Sequence, residues 1–475
     1  MADKLILTDN HADNITVLDD YFRVKDNFDV IAREITIGGR HSKIYFINGF
    51  VKDDILEKIL EFFLKVSPQA MAECSSSRDF ASYFIPNIDA TVCGSIEQFA
   101  TDVYSGQFGF VIEGFGEGIL LDTRSYPSRG IAEPDNDKVL RGSHEGFVET
   151  LLCNTSLIRR RIRDRELIME CYKIGKRSRT DVVLCYFDSR VDKKLLSRIQ
   201  KKLREIDVNS ICMGQESLAE CLVQKQRYNP FPKIRYTERP DSAAACIYEG
   251  NIIVLTDNSP AAMILPTSFF EFLQDTNDFY FPPIVGTYLR IIRAVIFAMA
   301  MLMSPVWYLF FSNPDLAPGW FSVFTVKEPY SIPVIVQMLI IEVVIDALKL
   351  ASLNTPNALS NSLSIIGAIV LGELAVEANL FSAEVVLFMA FVSIANFAQP
   401  SFELGYAFKL SRIFILIFTA LFDLWGFIIS LLAVILTIAF TNTATGKSYL
   451  YPLIPFRADA LSSLLIRKPI SKNNT

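Results

Sequence analysis

The segment IFILIFTALFDLWGFIISLLAVILTIAF, residues 413–440, is an almost unbroken apolar run of 28 residues. At a rise of 1.5 Å per residue, a helix of this length extends about 42 Å, whereas a bilayer core of about 30 Å needs roughly 20 apolar residues. The segment therefore predicts either one tilted membrane helix or two shorter pieces that break near Asp423, Trp425 and Gly426.

Four other apolar blocks precede this segment, and charged residues, frequent up to Arg293, are sparse from Ala294 to Phe440. The blocks are Tyr288–Phe311, Ile332–Leu353, Leu363–Ala378 and Ala383–Ala398. Together the five predict a polytopic, all-α membrane domain over residues 286–442, with the lipid bilayer as its partner. Residues 443–475 form a basic tail, expected in the cytoplasm.

The basic residues predict the orientation of the membrane domain. Arg290 and Arg293 precede the first block, where they are expected to snorkel to the headgroups, and place the N-terminal domain in the cytoplasm. Lys409 and Arg412 favour a cytoplasmic loop before the last block. Five full crossings would leave the basic tail outside. Either the last block is a hairpin or one short segment is re-entrant, and the sequence leaves both open.

Acidic residues occur within or at the edges of these blocks, although an ionised carboxylate in lipid costs about 2.5 kcal/mol or more. They are Glu342, Asp346, Glu373, Glu377 and Asp423, with Glu384 at the start of the fourth block. A spacing of four places each of the first two pairs on one helix face. The functional hypothesis is a cation pathway lined by acids. The alternative is that they cap helices or lie at the interface.

The N-terminal part is expected to be a soluble α/β (α+β) domain in two subdomains, residues 1–170 and 171–285. Arg33–Val51 predicts two strands joined by a Gly-Gly-Arg turn, and Gln107–Asp122 predicts a hairpin. A helix is expected over His144–Arg163. From Thr180 the order strand, helix, strand favours parallel strands.

Several classes of function are disfavoured. GxSxG, HExxH and Walker motifs are missing, so an enzyme is not expected. His144 beside Glu145 is interpreted as structural. Eight cysteines without a CxxC pair, with three histidines, predict neither metal nor cofactor. The net charge of −6 gives no reason to expect nucleic acid. The basic run Arg159–Arg163 is expected to form salt bridges within the domain or to a neighbouring subunit, with contact to nucleic acid or anionic lipid as the alternative.

Long motifs, in order, resemble the A subunits of GerA-type spore germination proteins. They are the run ERPDSAAACIYEGNIIVLTDNSPAAMILPTSFFEFLQ from Glu238, the run RGSHEGFVE from Arg141, Leu121–Arg124, and IIGAIVLGELAVEANLFSAEVV in the membrane half. The resemblance covers roughly Arg33 to Phe456. Two departures are Glu373, where the family often has glutamine, and Asn354–Asn357, where it often has Leu-Pro or Arg-Pro.

The resemblance implies a multi-pass protein of the spore inner membrane, acting in a germination complex. A-type subunits are similar to oligomeric ligand-gated ion channels that act with a transporter-like B subunit and often a lipoprotein. Opening would release monovalent cations. The hypothesis is a homo-oligomeric channel whose ion path is walled by the third block, at Ser364, Gly367, Gly372, Glu373 and Glu377.

The leading alternative is a non-conducting germinant receptor or scaffold subunit that recruits a separate channel. A transporter is less favoured, because transporters often contain paired inverted repeats and no convincing internal repeat is visible in the sequence. A membrane enzyme is the weakest alternative.

Overall fold

A computed structural model describes residues 6–85, 89–125, 142–223, 228–275, 277–326, 331–354, 375–441, 443, 446 and 448–466. The chain forms two compact units. The first comprises Met1–Lys225 with Ile234–Pro266, and the second comprises Gln226–Lys233 with Thr267–Thr475.

The first unit contains two five-stranded sheets with helices. The strands of the first sheet are β1 (Val30–Ile37), β2 (Arg40–Ile47), β3 (Ala90–Cys93), β4 (Phe108–Ile112) and β5 (Gly118–Leu121). The helices of this region are α1 (His11–Phe22), α2 (Asp53–Lys65), α3 (Pro68–Ala72), α4 (Ser77–Phe84) and α5 (Ile96–Tyr104). The strands of the second sheet are β6 (Leu167–Ile174), β7 (Thr180–Phe187), β8 (Arg235–Thr237), β9 (Ile252–Thr256) and β10 (Ala262–Leu265). The helices of this region are α6 (Leu151–Arg161), α7 (Lys193–Glu205), α8 (Gln215–Leu222) and α9 (Pro240–Tyr248).

Every described strand pair is antiparallel, so the expectation of parallel strands after Thr180 is wrong. The expectation concerned β7 and β9, which lie far apart in the sequence but pair directly in the sheet, with Val182 opposite Thr256 and Cys185 opposite Ile253. The strand pair β1–β2 and the hairpin β4–β5 are confirmed.

The two sheets have the same topology, with strand orders β1-β2-β4-β5-β3 and β6-β7-β9-β10-β8. The helices that precede them match in detail. Asn14 in α1 accepts from the Thr8 backbone N–H at 2.9 Å, and its Nδ2 donates to Thr8 O at 2.6 Å. Asn154 in α6 makes the same two bonds with Val148, at 2.8 and 2.5 Å. The first unit is therefore a tandem repeat of one architecture, which the sequence alone did not reveal.

The Asn154 bonds also explain where α6 begins. The sequence predicts a helix from His144, but the helix starts at Leu151. Because the Asn154 side chain binds both the N–H and the carbonyl of Val148, the backbone before Leu151 is held in a loop that competes with helix.

The basic run at the C-terminal end of α6 forms salt bridges, as predicted. Arg159 is fully buried, and its Nε and Nη2 donate to Asp29 at 2.8 and 3.1 Å. Arg160 and Arg161 both pair with Glu145, at 3.1 and 2.7 Å. Asp29 belongs to the first repeat and Arg159 to the second, so a buried charge pair joins the two repeats.

The first unit is expected to lose stability as the pH falls, because His11 becomes protonated. Both imidazole nitrogens are buried and lack a hydrogen-bond partner. The pKa of His11 is lowered, chiefly by burial, with Glu113 and Glu34 opposing and His41 and Lys43 adding to the effect. A histidine whose folded pKa is depressed binds its proton more readily in the unfolded chain. Stability should therefore be complete above about pH 6.5 and decline below it.

The measurement is the thermal midpoint of the intact protein between about pH 7.5 and 5.5, a range that brackets the ordinary histidine pKa. We expect His11→Gln to flatten this dependence. The matched control is His144→Gln, because His144 is exposed. Equal slopes for His11→Gln and the unsubstituted protein would contradict the assignment.

The second unit is helical. Its helices are α10 (Asn277–Tyr280), α11 (Pro283–Ser312), α12 (Val334–Asn354), α13 (Ala375–Glu377), α14 (Ala383–Phe397), α15 (Phe402–Ala439) and α16 (Ala458–Leu465), with 3₁₀ turns at Phe269–Leu273, Pro314–Leu316 and Gly319–Phe324. Among the described residues, α11 and α15 are long and apolar enough to cross a membrane, and α14 is a shorter apolar helix.

The helices α11 and α15 run side by side in the same direction. The rings of Phe297 and Phe408 are 5.3 Å apart. Further along both helices, Asn313 Nδ2 donates to Asp423 Oδ1 at 3.3 Å. The helix α11 and the first part of α15, up to Asp423, are therefore parallel.

Beyond Asp423 the chain turns back. Phe422 and Asp423 have non-helical backbone angles, with φ of −132° and 49°. Ile438 then packs in the same core cluster as Phe408. A straight helix of the 38 residues of α15 would be about 57 Å long and would keep these side chains far apart. The last apolar block is therefore a helical hairpin with its turn at Asp423.

The helix α12 runs antiparallel to the first leg of this hairpin. Lys349 lies 5.6 Å over the Tyr406 ring, and Asp346 contacts Lys409 at 2.6 Å. The start of α12 is close to the segment around α13, because Ser331 N–H donates to Asn379 O at 3.2 Å. The chain therefore leaves α12 at its C-terminal end, and the next described segment, which begins at Ala375, lies near the N-terminal end of α12.

Candidate functional site

Four charged side chains meet inside the second unit. Glu342 is 3% exposed, and its carboxylate lies 2.6 Å from Arg412 Nη2 and 3.1 Å from Lys409 Nζ. Lys409 also contacts Asp346 at 2.6 Å. The two acids share one face of α12, and the two cations share one face of the first leg of α15. The cluster thus pairs two negative with two positive charges across the helix contact.

The cluster joins three helices. Arg412 is fully buried, and its Nη1 donates to the main-chain carbonyl of Ala300 in α11. Lys409 Nζ donates to the carbonyl of Glu342 at 2.9 Å. Buried charges persist only when they are paired and hydrogen-bonded, which these contacts provide. The cluster fixes the register of α11, α12 and α15.

Two expectations about basic residues are wrong. Lys409 and Arg412 do not lie in a loop before the last block, because α15 begins at Phe402 and buries both. Arg290 does not snorkel, since it is 5% exposed and lies 3.5 Å from Asp278. Arg293 pairs with the same carboxylate at 2.8 Å. In each case a nearby acid makes burial of the cation possible.

The other predicted site residues lie apart from this cluster. Glu377 ends α13 and is exposed, and it has no ion pair within the described part of the chain. Asp423 is exposed at the hairpin turn. The remaining candidates lie outside the described residues: Ser364, Gly367, Gly372 and Glu373. A role in an ion pathway stays a prediction for all of them.

The hairpin turn depends on Gly426, which the sequence marked only as a point near which the last apolar block breaks. A Cβ added to Gly426 would lie 1.9 Å from the main-chain oxygen of Phe418. Only glycine allows the second leg to approach the first this closely. Trp425, beside it, is largely exposed at the turn.

Sequence reasoning missed Lys409 and Arg412 as members of the site. A signal was present, because cations three residues apart on one apolar helix complement acids four apart on another. Over the described residues, no group of three His, Cys, Asp or Glu side chains could hold a metal ion.

The sequence model described as "Bacillus/Clostridium GerA spore germination protein" matches residues 18–475. The chain belongs to this family. Within it, the chain is 35% identical to stage V sporulation protein AF of Bacillus subtilis (strain 168) over 453 residues, covering 94% of this chain and 90% of the relative. It is 28% identical to spore germination protein KA of the same organism, covering 94% and 82%.

Among solved structures, the chain is similar to the N-terminal domain of the A subunit of the Bacillus megaterium spore germinant receptor GerK3. The match has 23% identity and a TM-score of 0.44, and it covers 56% of this chain and 97% of that one. Membership of the GerA family, with two apolar helices long enough to span, indicates a spore membrane protein with a role connected to germination.

Proposed function

We propose that this GerA-family chain is a subunit of an oligomeric channel of the spore inner membrane that releases monovalent cations during germination. The first unit lies in the cytoplasm and acts without catalysis. Other membrane subunits of a germination complex are its partners.

The helix directions support this membrane arrangement. The helices α11, α12 and α14 and the two hairpin legs give five crossings, and the predicted third block adds a sixth between Asn354 and Ala375. Six crossings return the chain to the side on which it entered. In agreement, Arg290 at the start of α11 donates to the carbonyl of Leu464 in α16 at 3.2 Å. This contact brings α16, within the basic tail, and the start of α11 to the same side, which supports the proposed cytoplasmic location of both.

The contrast among the acids carries the proposal for the pathway. Glu342 and Asp346 are compensated by Lys409 and Arg412, whereas Glu377 is exposed without an ion pair in the described residues. An exposed carboxylate beside an apolar block requires water or a neighbouring subunit. A ring of such carboxylates, one set from each subunit, would concentrate cations.

The test is cation flux through vesicles that contain the purified oligomer. Replacing Glu373 and Glu377 together by glutamine is expected to lower the flux of monovalent cations about tenfold or more, because the ring loses its charge. Asp315→Asn, the same carboxylate-to-amide change at an exposed residue outside the apolar blocks, is the matched control and should conduct normally. Unchanged conductance and selectivity in the double variant would show that other residues line the ion pathway.

The alternative function is a non-conducting receptor or scaffold subunit. It is favoured by the compensated cluster, which leaves Glu342 and Asp346 occupied with structural ion pairs. Protein that never conducts in vesicles, yet retains a partner membrane subunit through purification, would support this function over the channel.

A further inference from the structure

The junction between α14 and α15 contains polar groups without partners. Gln399 is 6% exposed, and neither its Oε1 nor its Nε2 has a hydrogen-bond partner. The Oδ1 atom of Asn396 is buried and lacks a partner as well. A buried polar group left unsatisfied costs about 1–3 kcal/mol, so three such atoms at one junction indicate a ligand.

The geometry brings two oxygens to the same small space. A Cβ placed on Gly405 would lie 2.7 Å from Gln399 Oε1 and 4.0 Å from the main-chain oxygen of Asn396. The helix α14 ends at Phe397, so the Asn396 carbonyl is among the last carbonyls of the helix. Such carbonyls have no helical N–H to accept from, and the helix end carries partial negative charge.

Neutral oxygens at a helix C-terminus are ligands for monovalent cations, whereas divalent cations prefer carboxylates. Two formal charges lie close to Gly405 along α15. Glu403, two residues before Gly405, is exposed, and its negative charge favours a cation. Lys409, one turn beyond Gly405, is compensated by Glu342 and Asp346. The free Nε2 donor of Gln399 fits a water molecule of the ion's remaining hydration shell.

We propose that Gln399 and Asn396 bind a partly hydrated monovalent cation at the α14–α15 junction. The site lies at the end of the second unit at which α15 begins. Its role as an entry point for permeating ions rests on the proposed channel function, but binding itself does not.

The test uses the purified full-length protein in detergent and compares potassium, sodium and N-methylglucamine at constant ionic strength. Potassium or sodium is expected to raise the thermal midpoint by roughly 5–10 °C at a concentration about a hundred times the dissociation constant. Gln399→Met keeps the side-chain length but removes the amide, so the shift should vanish. Gln274→Met, the same change elsewhere in the second unit, should retain it.

Gln399→Glu keeps the test decisive if Gln399→Met fails to fold. It retains an oxygen and adds charge, so its midpoint should respond at lower cation concentrations. A shift of the same size in Gln399→Met would show that the cation binds elsewhere. Midpoints of the unsubstituted protein that do not change with the cation would show that only water fills the junction. Either result would overturn the proposal.

Flux separates this site from the channel function. If Gln399→Met loses the cation-dependent shift but conducts normally, the site stands and lies off the pathway. If the unsubstituted protein shows the shift but never conducts, the site stands and the channel proposal fails.

Discussion

Gly426→Ala is expected to destabilise the membrane unit severely. The new methyl carbon would lie 1.9 Å from the main-chain oxygen of Phe418, and a backbone atom cannot move aside as a side chain can. The two hairpin legs must separate, at a cost of about 3 kcal/mol or more. For a unit of this size the thermal midpoint should fall by roughly 6–12 °C.

Two substitutions control for this result. Gly319→Ala makes the same chemical change where a Cβ meets nothing within 4 Å, so it should leave the midpoint unchanged. Asp423→Gly should be tolerated or stabilising, because Asp423 has a φ of 49°, a conformation that suits glycine. A normal midpoint for Gly426→Ala would mean that the legs do not pack as described.

Arg412→Met is expected to have the second large effect. It leaves the buried Glu342 with Lys409 alone and removes the bond to the Ala300 carbonyl. Breaking a buried pair by removing one partner costs about 3–5 kcal/mol, most of it from the uncompensated charge. The measurement is the free energy of unfolding in denaturant, with Arg457→Met as an exposed control that should change stability by less than about 0.5 kcal/mol.

A double-mutant cycle assigns the cost. If the unpaired Glu342 carboxylate is responsible, Glu342→Gln in the Arg412→Met background should restore most of the stability. Additive losses would instead show that Arg412 stabilises the unit by packing, independently of Glu342.

Local elements were predictable from the sequence. The β1–β2 turn uses Gly38 and Gly39, both with positive φ, as the Gly-Gly-Arg signal indicates. The hairpin predicted over Gln107–Asp122 forms from β4, Phe108–Ile112, and β5, Gly118–Leu121. These elements depend on turn chemistry and periodicity within a short window.

Predictions that depended on distant partners were less successful. The direction of the strands after Thr180 depends on pairing between β7 and β9, which lie about 70 residues apart. The start of α6 depends on one side chain, Asn154, that competes for the backbone. Neither effect is visible in a local pattern.

The sequence by itself indicated the chemical class of each half, because an apolar run of about 20 residues or more is long enough to span a bilayer core as a helix. It also placed acids in the apolar half. Only the tertiary structure decided which of them are compensated. Lys409 and Arg412 neutralise Glu342 because α12 and the first leg of α15 run antiparallel and bring these side chains together. Whether a charge is compensated depends on which side chains lie next to it in space. The same holds for the hairpin, since the close approach at Gly426 exists only once both legs are packed.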